Sequence, residues 1–141
     1  MSEHQTNMVV VGFIVRDGKI FVAKRAKTKK MFPDRYELVG GHIDLGESPE
    51  QALIREVKEE LGLTVTVGPL VGAFTFEIDD EFKIELAYFC YPTDGTEPTL
   101  NPADHSQSRW IARDELDKFE KEDEETELLR QAFKMLEGEK S

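Results

Sequence analysis

The sequence predicts an α/β fold in which a mixed sheet lies between helices. Three observations carry this. Two β-rich runs, Met8 to Val15 and Lys19 to Lys24, are joined by Asp17-Gly18, a strong hairpin signal. A helix with both ends marked follows at residues 48 to 62, and the chain closes on a stretch whose apolar residues recur at helical spacing.

Taken in order, the first hairpin leads into a loop over 26 to 35 that ends in MFPDR, and Tyr36 to Val39 is a short strand feeding Gly40-Gly41. Ser48 is placed as an N-cap, with Pro49 at the first helical position and Gln51 three residues after the cap, the pattern of a capping box. Good helix formers continue to Leu61, and Gly62 is the residue type that most easily turns left-handed after a last turn. Beyond it, Leu63 to Val67 alternates, Leu70 to Ile78 is a long run broken by Gly72, and Asp79-Asp80 turns into Phe82 to Tyr91, which together predict a three-strand meander. Pro92 to Asp104, with Gly95, Pro98 and Pro102, reads as a loop, and Ser108 to Ile111 as a short strand. The final helix carries Leu128, Leu129, Ala132, Phe133 and Leu136 on one stripe, follows the acidic run EKEDEE, and is expected to end before Gly138.

The bulk numbers bound what the chain does. A length of 141 residues predicts one domain over 1–141, with a core at about 8–136 that needs no disulfide or metal staple. The single cysteine, Cys90, lies in an apolar run and reads as a small core residue, so a reducing compartment is expected. With no apolar run near the ~20 residues of a membrane span, and no basic-then-apolar leader in MSEHQTN, the expectation is a soluble, cytoplasmic protein. Net charge is −11 and the pI about 4.7, which disfavours nucleic-acid polymers and anionic membranes. A small anionic substrate meets the same repulsion unless it brings a cation or finds a local basic patch. KRAKTKK at 24 to 30 holds five of the 18 Lys and Arg; Arg25, at the strand end, is the candidate phosphate contact, while Lys27, Lys29 and Lys30 read as a solvated loop.

Within the marked helix, Glu56, Glu59 and Glu60 stand at i, i+3 and i+4, three carboxylates on one face, with Leu53, Val57 and Leu61 on another. Like charges at that spacing cost roughly 0.2–0.5 kcal/mol per pair, and acids in a last turn oppose the helix dipole. Arg55 can reach Glu59 but cannot neutralise three carboxylates. Mg²⁺ or Mn²⁺ can, because these hard cations take oxygen ligands and complete their shells with water and phosphate.

Gly41, Glu47, Arg55-Glu56, Glu59-Glu60 and Gly62 then stand at the spacing of a known pattern, and the segment GHIDLGESPEQALIREVKEELGL resembles the Nudix box of the Nudix hydrolases at every constrained position. Chance agreement at seven fixed positions is on the order of 10⁻⁹ per start site. The resemblance covers about residues 8 to 136 and implies the Nudix fold, an α/β/α sandwich, and divalent-metal hydrolysis of a nucleoside diphosphate linked to another group. It implies Gly40 (through its carbonyl), Glu56, Glu59 and Glu60 as ligands of Mg²⁺ or Mn²⁺, and Glu47 with Arg55 as an ion pair fixing loop against helix. For the general base it leaves two candidates, Glu56 and Asp104. Asp104 opens DHSQSRWI, which resembles an acidic-His-Arg-Trp segment of small Nudix enzymes, although Glu is frequent there. His4, His42 and His105 read as surface residues, and Trp110 as core.

FVAKRA and YELVGGHIDLGE resemble the MutT pattern, with Val39 where proline is frequent; the markers of ADP-ribose, diadenosine polyphosphate and NADH hydrolases are not found. The MutT-like reading implies a (d)NTP cleaved to NMP and pyrophosphate, with 8-oxo-dGTP among the possibilities and a homodimer compatible with it. Nucleotide-sugar or dinucleoside polyphosphate hydrolysis, RNA 5′-end pyrophosphohydrolysis and a non-catalytic nucleotide-binding module are the alternatives.

Overall fold

The computed structural model describes residues 5–29, 36–118 and 124–140. Lys30, the MFPDR segment, His4 and the first part of the EKEDEE run lie outside them. The elements, in chain order, are β1 (Gln5–Arg16), β2 (Lys19–Arg25), β3 (Tyr36–Glu37), β4 (Val39–Asp44), α1 (Pro49–Leu61), β5 (Val65–Ile78), β6 (Glu81–Pro92), β7 (His105–Ile111), a 3-10 helix (Arg113–Lys118) and α2 (Glu124–Lys140).

The sheet is mixed and α/β, as the sequence predicts. β1 runs parallel to β6 and antiparallel to β4, while β5 pairs antiparallel with β6 and forms an edge. At its far end β1 turns through Asp17-Gly18 into β2, which pairs with β3 and β7.

Alternation along β1 divides the core. Val10 and Ile14 face α1 and pack with Leu53, Val57, Leu61 and Cys90; Val11 and Phe13 face α2 and pack with Phe89, Leu129, Ala132 and Phe133. A strand buried on both faces is expected in a sheet sandwiched by helices. Fully burying each Val, Leu or Phe contributes about 1.5–3 kcal/mol. Trp110 is part-buried, edge-on to Phe21 with ring centroids 5.2 Å apart, and Arg16 lies 5.0 Å over its ring. Helix α1 has the capping box, Ser48 Oγ accepting from the Gln51 N–H and Gln51 Oε1 accepting from the Ser48 N–H, and Gly62 caps its end at φ 71°.

Several expectations are corrected. The runs ending at Val67 and beginning at Leu70 are one strand: β5 is continuous from Val65 to Ile78 through Gly72, with register shifts between Val67 and Gly72, so the three-strand meander is one long hairpin. Bulges absorb glycine without ending the ladder. Gly40 and Gly41 lie inside a strand, because the chain changes partners at Leu38, from β2 to β1. β7 starts at His105 rather than Ser108, and α2 continues past Gly138 to Lys140.

Candidate active site

The change of partner at Leu38 positions the site. Glu37 hydrogen-bonds beside β2, and Gly40 and Gly41, only a few residues on, lie beside Val11 and Val10 of β1. Where the two sets of strands diverge, a cleft of about 390 Å³ opens, lined by Glu37, Gly40, Gly41, Glu56, Glu60, Glu85, Asp104, Arg25, Lys29 and His105 over a floor of Val9, Val11 and Leu38.

Helix α1 presents its carboxylates to this cleft across a close contact. A Cβ on Gly41 would sit 2.6 Å from the Glu56 carboxyl carbon, so glycine is required for Glu56 to lie against β4. Glu60 is deeper, and its buried Oε2 has no hydrogen-bond partner. Burial, followed by the charges of Glu56, Glu37 and Asp104, pushes its pKa up to about 8. Glu56 is raised too, by burial first, against the lowering effect of Arg55.

Arg55 is the hub of the adjoining loop. Its Nε and Nη2 donate to Glu47 at 2.7 and 2.9 Å, Nη2 to the His42 carbonyl at 3.2 Å, and Nη1 to Glu56 at 2.9 Å and Glu59 at 3.3 Å. Glu59 is 60% exposed and turned toward Arg55, so the structure brings Glu56 and Glu60 into the cleft but leaves Glu59 at its rim.

The opposite wall corrects two readings. Lys29 is not simply solvated: its Nζ donates to Asp104 Oδ1 at 2.7 Å inside the cleft. His105 is not a surface residue; it is 3% exposed, and its Nε2 lies 2.8 Å from Glu37 Oε2. Glu37 also accepts from Arg25 Nη1 at 3.2 and 3.4 Å, so Arg25 reaches the cleft already oriented by a carboxylate. His42 is part-buried, 3.0 Å from Lys83 Nζ, and its pKa is lowered by burial and by that ammonium. Glu37 and Glu85 were not singled out from sequence, and Lys29 was read only as part of a solvated loop. Glu85 carried a signal, being a carboxylate in phase with the inward residues Ala87 and Phe89 of β6.

A hard divalent cation fits these donors. The buried oxygen of Glu60 lacks a partner, and burial and the neighbouring Glu56 carboxylate both raise the Glu60 pKa, a cost that a cation between the oxygens removes. Among the described residues no three His, Cys, Asp or Glu side chains already converge on one metal position. A site completed by water and phosphate does not need them to.

Comparison with known proteins decides the family. The NUDIX domain model matches residues 6–132. The chain belongs to the Nudix family. It is thus a Nudix hydrolase of the MutT-like kind. It is 34% identical over 107 residues to the CTP pyrophosphohydrolase of Escherichia coli, covering 76% of each chain. It is 37% identical over 73 residues to the 8-oxo-dGTP diphosphatase of the same organism, covering 51% of this chain and 56% of that one. The MutT protein of Methanosarcina mazei shares the fold at a TM-score of 0.76 and 21% identity, over 100% of this chain and 99% of that chain. Among the described residues no helix is long and apolar enough to cross a membrane.

Proposed function

We propose that this Nudix hydrolase cleaves a nucleoside triphosphate to the monophosphate and pyrophosphate, with Mg²⁺ or Mn²⁺ as cofactor. The observation that carries the reading is the buried, unpartnered Glu60 oxygen facing a cleft shared with Glu56 and Gly40. Similarity to a CTP pyrophosphohydrolase and an 8-oxo-dGTP diphosphatase supports a small nucleotide as substrate.

Glu56, Glu59, Glu60 and the Gly40 carbonyl would hold the ion, Glu59 swinging in from the rim. When bound, the ion supplies positive charge to the phosphate oxygens and makes a water molecule more acidic. The protein's own groups do the rest. Arg25 and Lys29 face the terminal phosphates from the β2 side, where the otherwise acidic cleft needs cations. Glu47 and Arg55 fix the loop against α1. Glu56, fixed on a helix and raised in pKa by burial, takes the proton of the attacking water; Asp104 is the second candidate, and its Oδ1 is already engaged by Lys29.

A turnover screen over nucleoside triphosphates, nucleotide sugars, dinucleoside polyphosphates and 5′-triphosphorylated RNA, with Mg²⁺ and with EDTA, tests this. The expected result is metal-dependent release of pyrophosphate from triphosphates, with label from ¹⁸O-water in the pyrophosphate, since attack is proposed at the β-phosphorus. Label in the monophosphate would move the attack to the α-phosphorus. Orthophosphate as the only inorganic product, or turnover indifferent to EDTA, would overturn the proposal.

A further inference from the structure

We infer that Glu85 reads the base of the nucleotide and that the site favours bases bearing an exocyclic amino group. The inference rests on the triphosphate reading above and adds the end of the substrate that the phosphate-facing residues do not touch.

Glu85 on β6 is level with Val9 of β1, which is level with His42 of β4; on the other side Glu85 pairs with Phe74 of β5. Gly40, Val11, Ala87 and Gly72 form the row two residues on. Glu85 is therefore two strands across and two residues along from Gly40. At about 4.8 Å between strands and about 3.3 Å per residue, their backbones are roughly 12 Å apart. Mg²⁺–oxygen bonds are about 2.1 Å long, so Glu85 cannot share an ion with the Gly40 carbonyl.

Yet Glu85 lines the same cleft. It is 7% exposed, on the sheet face shared with Ala87, beside Val9 and the half-buried Phe74. A substrate with its phosphates at Glu56 and Glu60 extends its sugar and base over Val11 and Val9 toward this carboxylate. Apolar floor with one placed polar group is the usual build of a pocket that orients a flat ligand.

A carboxylate only accepts hydrogen bonds, and that chemistry sets the preference. Guanine offers an amino group beside a ring N–H, two donors side by side. Cytosine and adenine offer an amino group beside a ring acceptor. Uracil and thymine offer one N–H between two carbonyls, which repel a carboxylate. The expected order is guanine, then cytosine and adenine, then uracil and thymine.

The test measures kcat and KM for GTP, CTP, ATP and UTP, and the Mg²⁺ half-saturation, in the wild type, Glu85→Gln and Glu85→Leu, with circular dichroism to confirm folding. Glu85→Leu should lower the GTP-to-UTP ratio of kcat/KM by at least about tenfold, chiefly through KM, at unchanged Mg²⁺ half-saturation. Glu85→Gln, which keeps the shape, supplies the same comparison if the leucine variant does not fold. An unchanged ratio overturns the assignment alone. So does a uniform loss of kcat with a raised Mg²⁺ requirement, which would make Glu85 a metal-site residue. A wild type that hydrolyses none of the four overturns the triphosphate reading and this assignment with it.

Discussion

Arg55 and Glu47 meet as a two-pronged pair, Nε 2.7 Å from Oε2 and Nη2 2.9 Å from Oε1. Glu47 also accepts from the Asp44 N–H at 2.9 Å, and these bonds, the Arg55 one foremost, hold its pKa at about 2. A carboxyl lowered in this way contributes stability that is present above its ordinary value near 4.5 and lost as pH falls toward 2. Glu47→Gln should therefore cost about 1–3 kcal/mol at pH 7, the usual loss for charged hydrogen bonds. Urea unfolding of both proteins at pH 7 and pH 3 checks it, the gap narrowing at the lower pH. An equal gap at both would mean that the pair's charge does not stabilise the fold.

Glu60 has the opposite sign. Its pKa, raised to about 8, means that the folded, metal-free protein holds a proton that the unfolded chain gives up above about 4.5. Stability from this group is fully present below pH 4.5 and is lost as pH rises through 8. Thermal unfolding in EDTA should show Tm falling across this window, and Glu60→Gln, neutral throughout, should flatten the fall. Mg²⁺ should raise the wild-type Tm most at the alkaline end, where the carboxylate is free to bind it. A Tm profile in EDTA that is the same for both proteins would remove Glu60 as its cause.

The two candidate bases differ in their surroundings. Asp104 has its Oδ1 engaged by Lys29 Nζ at 2.7 Å, whereas Glu56 sits on a rigid helix and is raised by burial. Glu56→Gln should lower kcat by about 10²–10⁴-fold, and Asp104→Asn by less. A pH profile of kcat decides between them. If its acidic limb survives Glu56→Gln and vanishes in Asp104→Asn, the roles are exchanged.

What the sequence made legible was local. Ser48, Pro49, Gln51 and Gly62 mark both ends of α1 within a few residues, so the spacing of Glu56, Glu59 and Glu60 was readable without a structure. Gly40, Glu56, Glu60, Asp104 and Arg25 do line one cleft. What was not legible depends on distant pairings. His105 meets Glu37 across 68 residues and Lys29 meets Asp104 across 75, and only strand register decides such contacts. Glu59 sat on the predicted face, yet its outward position follows from Arg55 already holding it. The gap between Val67 and Leu70 misled because composition shows weak strand formers but not the neighbouring strand that carries them.

Gly40 and Gly41 separate stability from function. A Cβ on Gly40 would be driven into the Val10 carbonyl and to 2.7 Å from the Val11 Cα, backbone atoms of β1 that cannot move without breaking the β1–β4 ladder. On Gly41 the obstacle is the end of the Glu56 side chain, 2.6 Å away, which can rotate off. Gly40→Ala should therefore unfold the protein or lower its Tm strongly. Gly41→Ala should fold, because only a flexible side chain has to yield, but with Glu56 displaced from the cleft. Its kcat should drop by about 10²-fold or more, the scale on which small misplacements of reacting groups act, and its Mg²⁺ half-saturation should rise. Melting curves and metal titrations of the two variants, run together, check both halves. Full turnover in a folded Gly41→Ala would show that Glu56 works from a position other than the one it holds against β4.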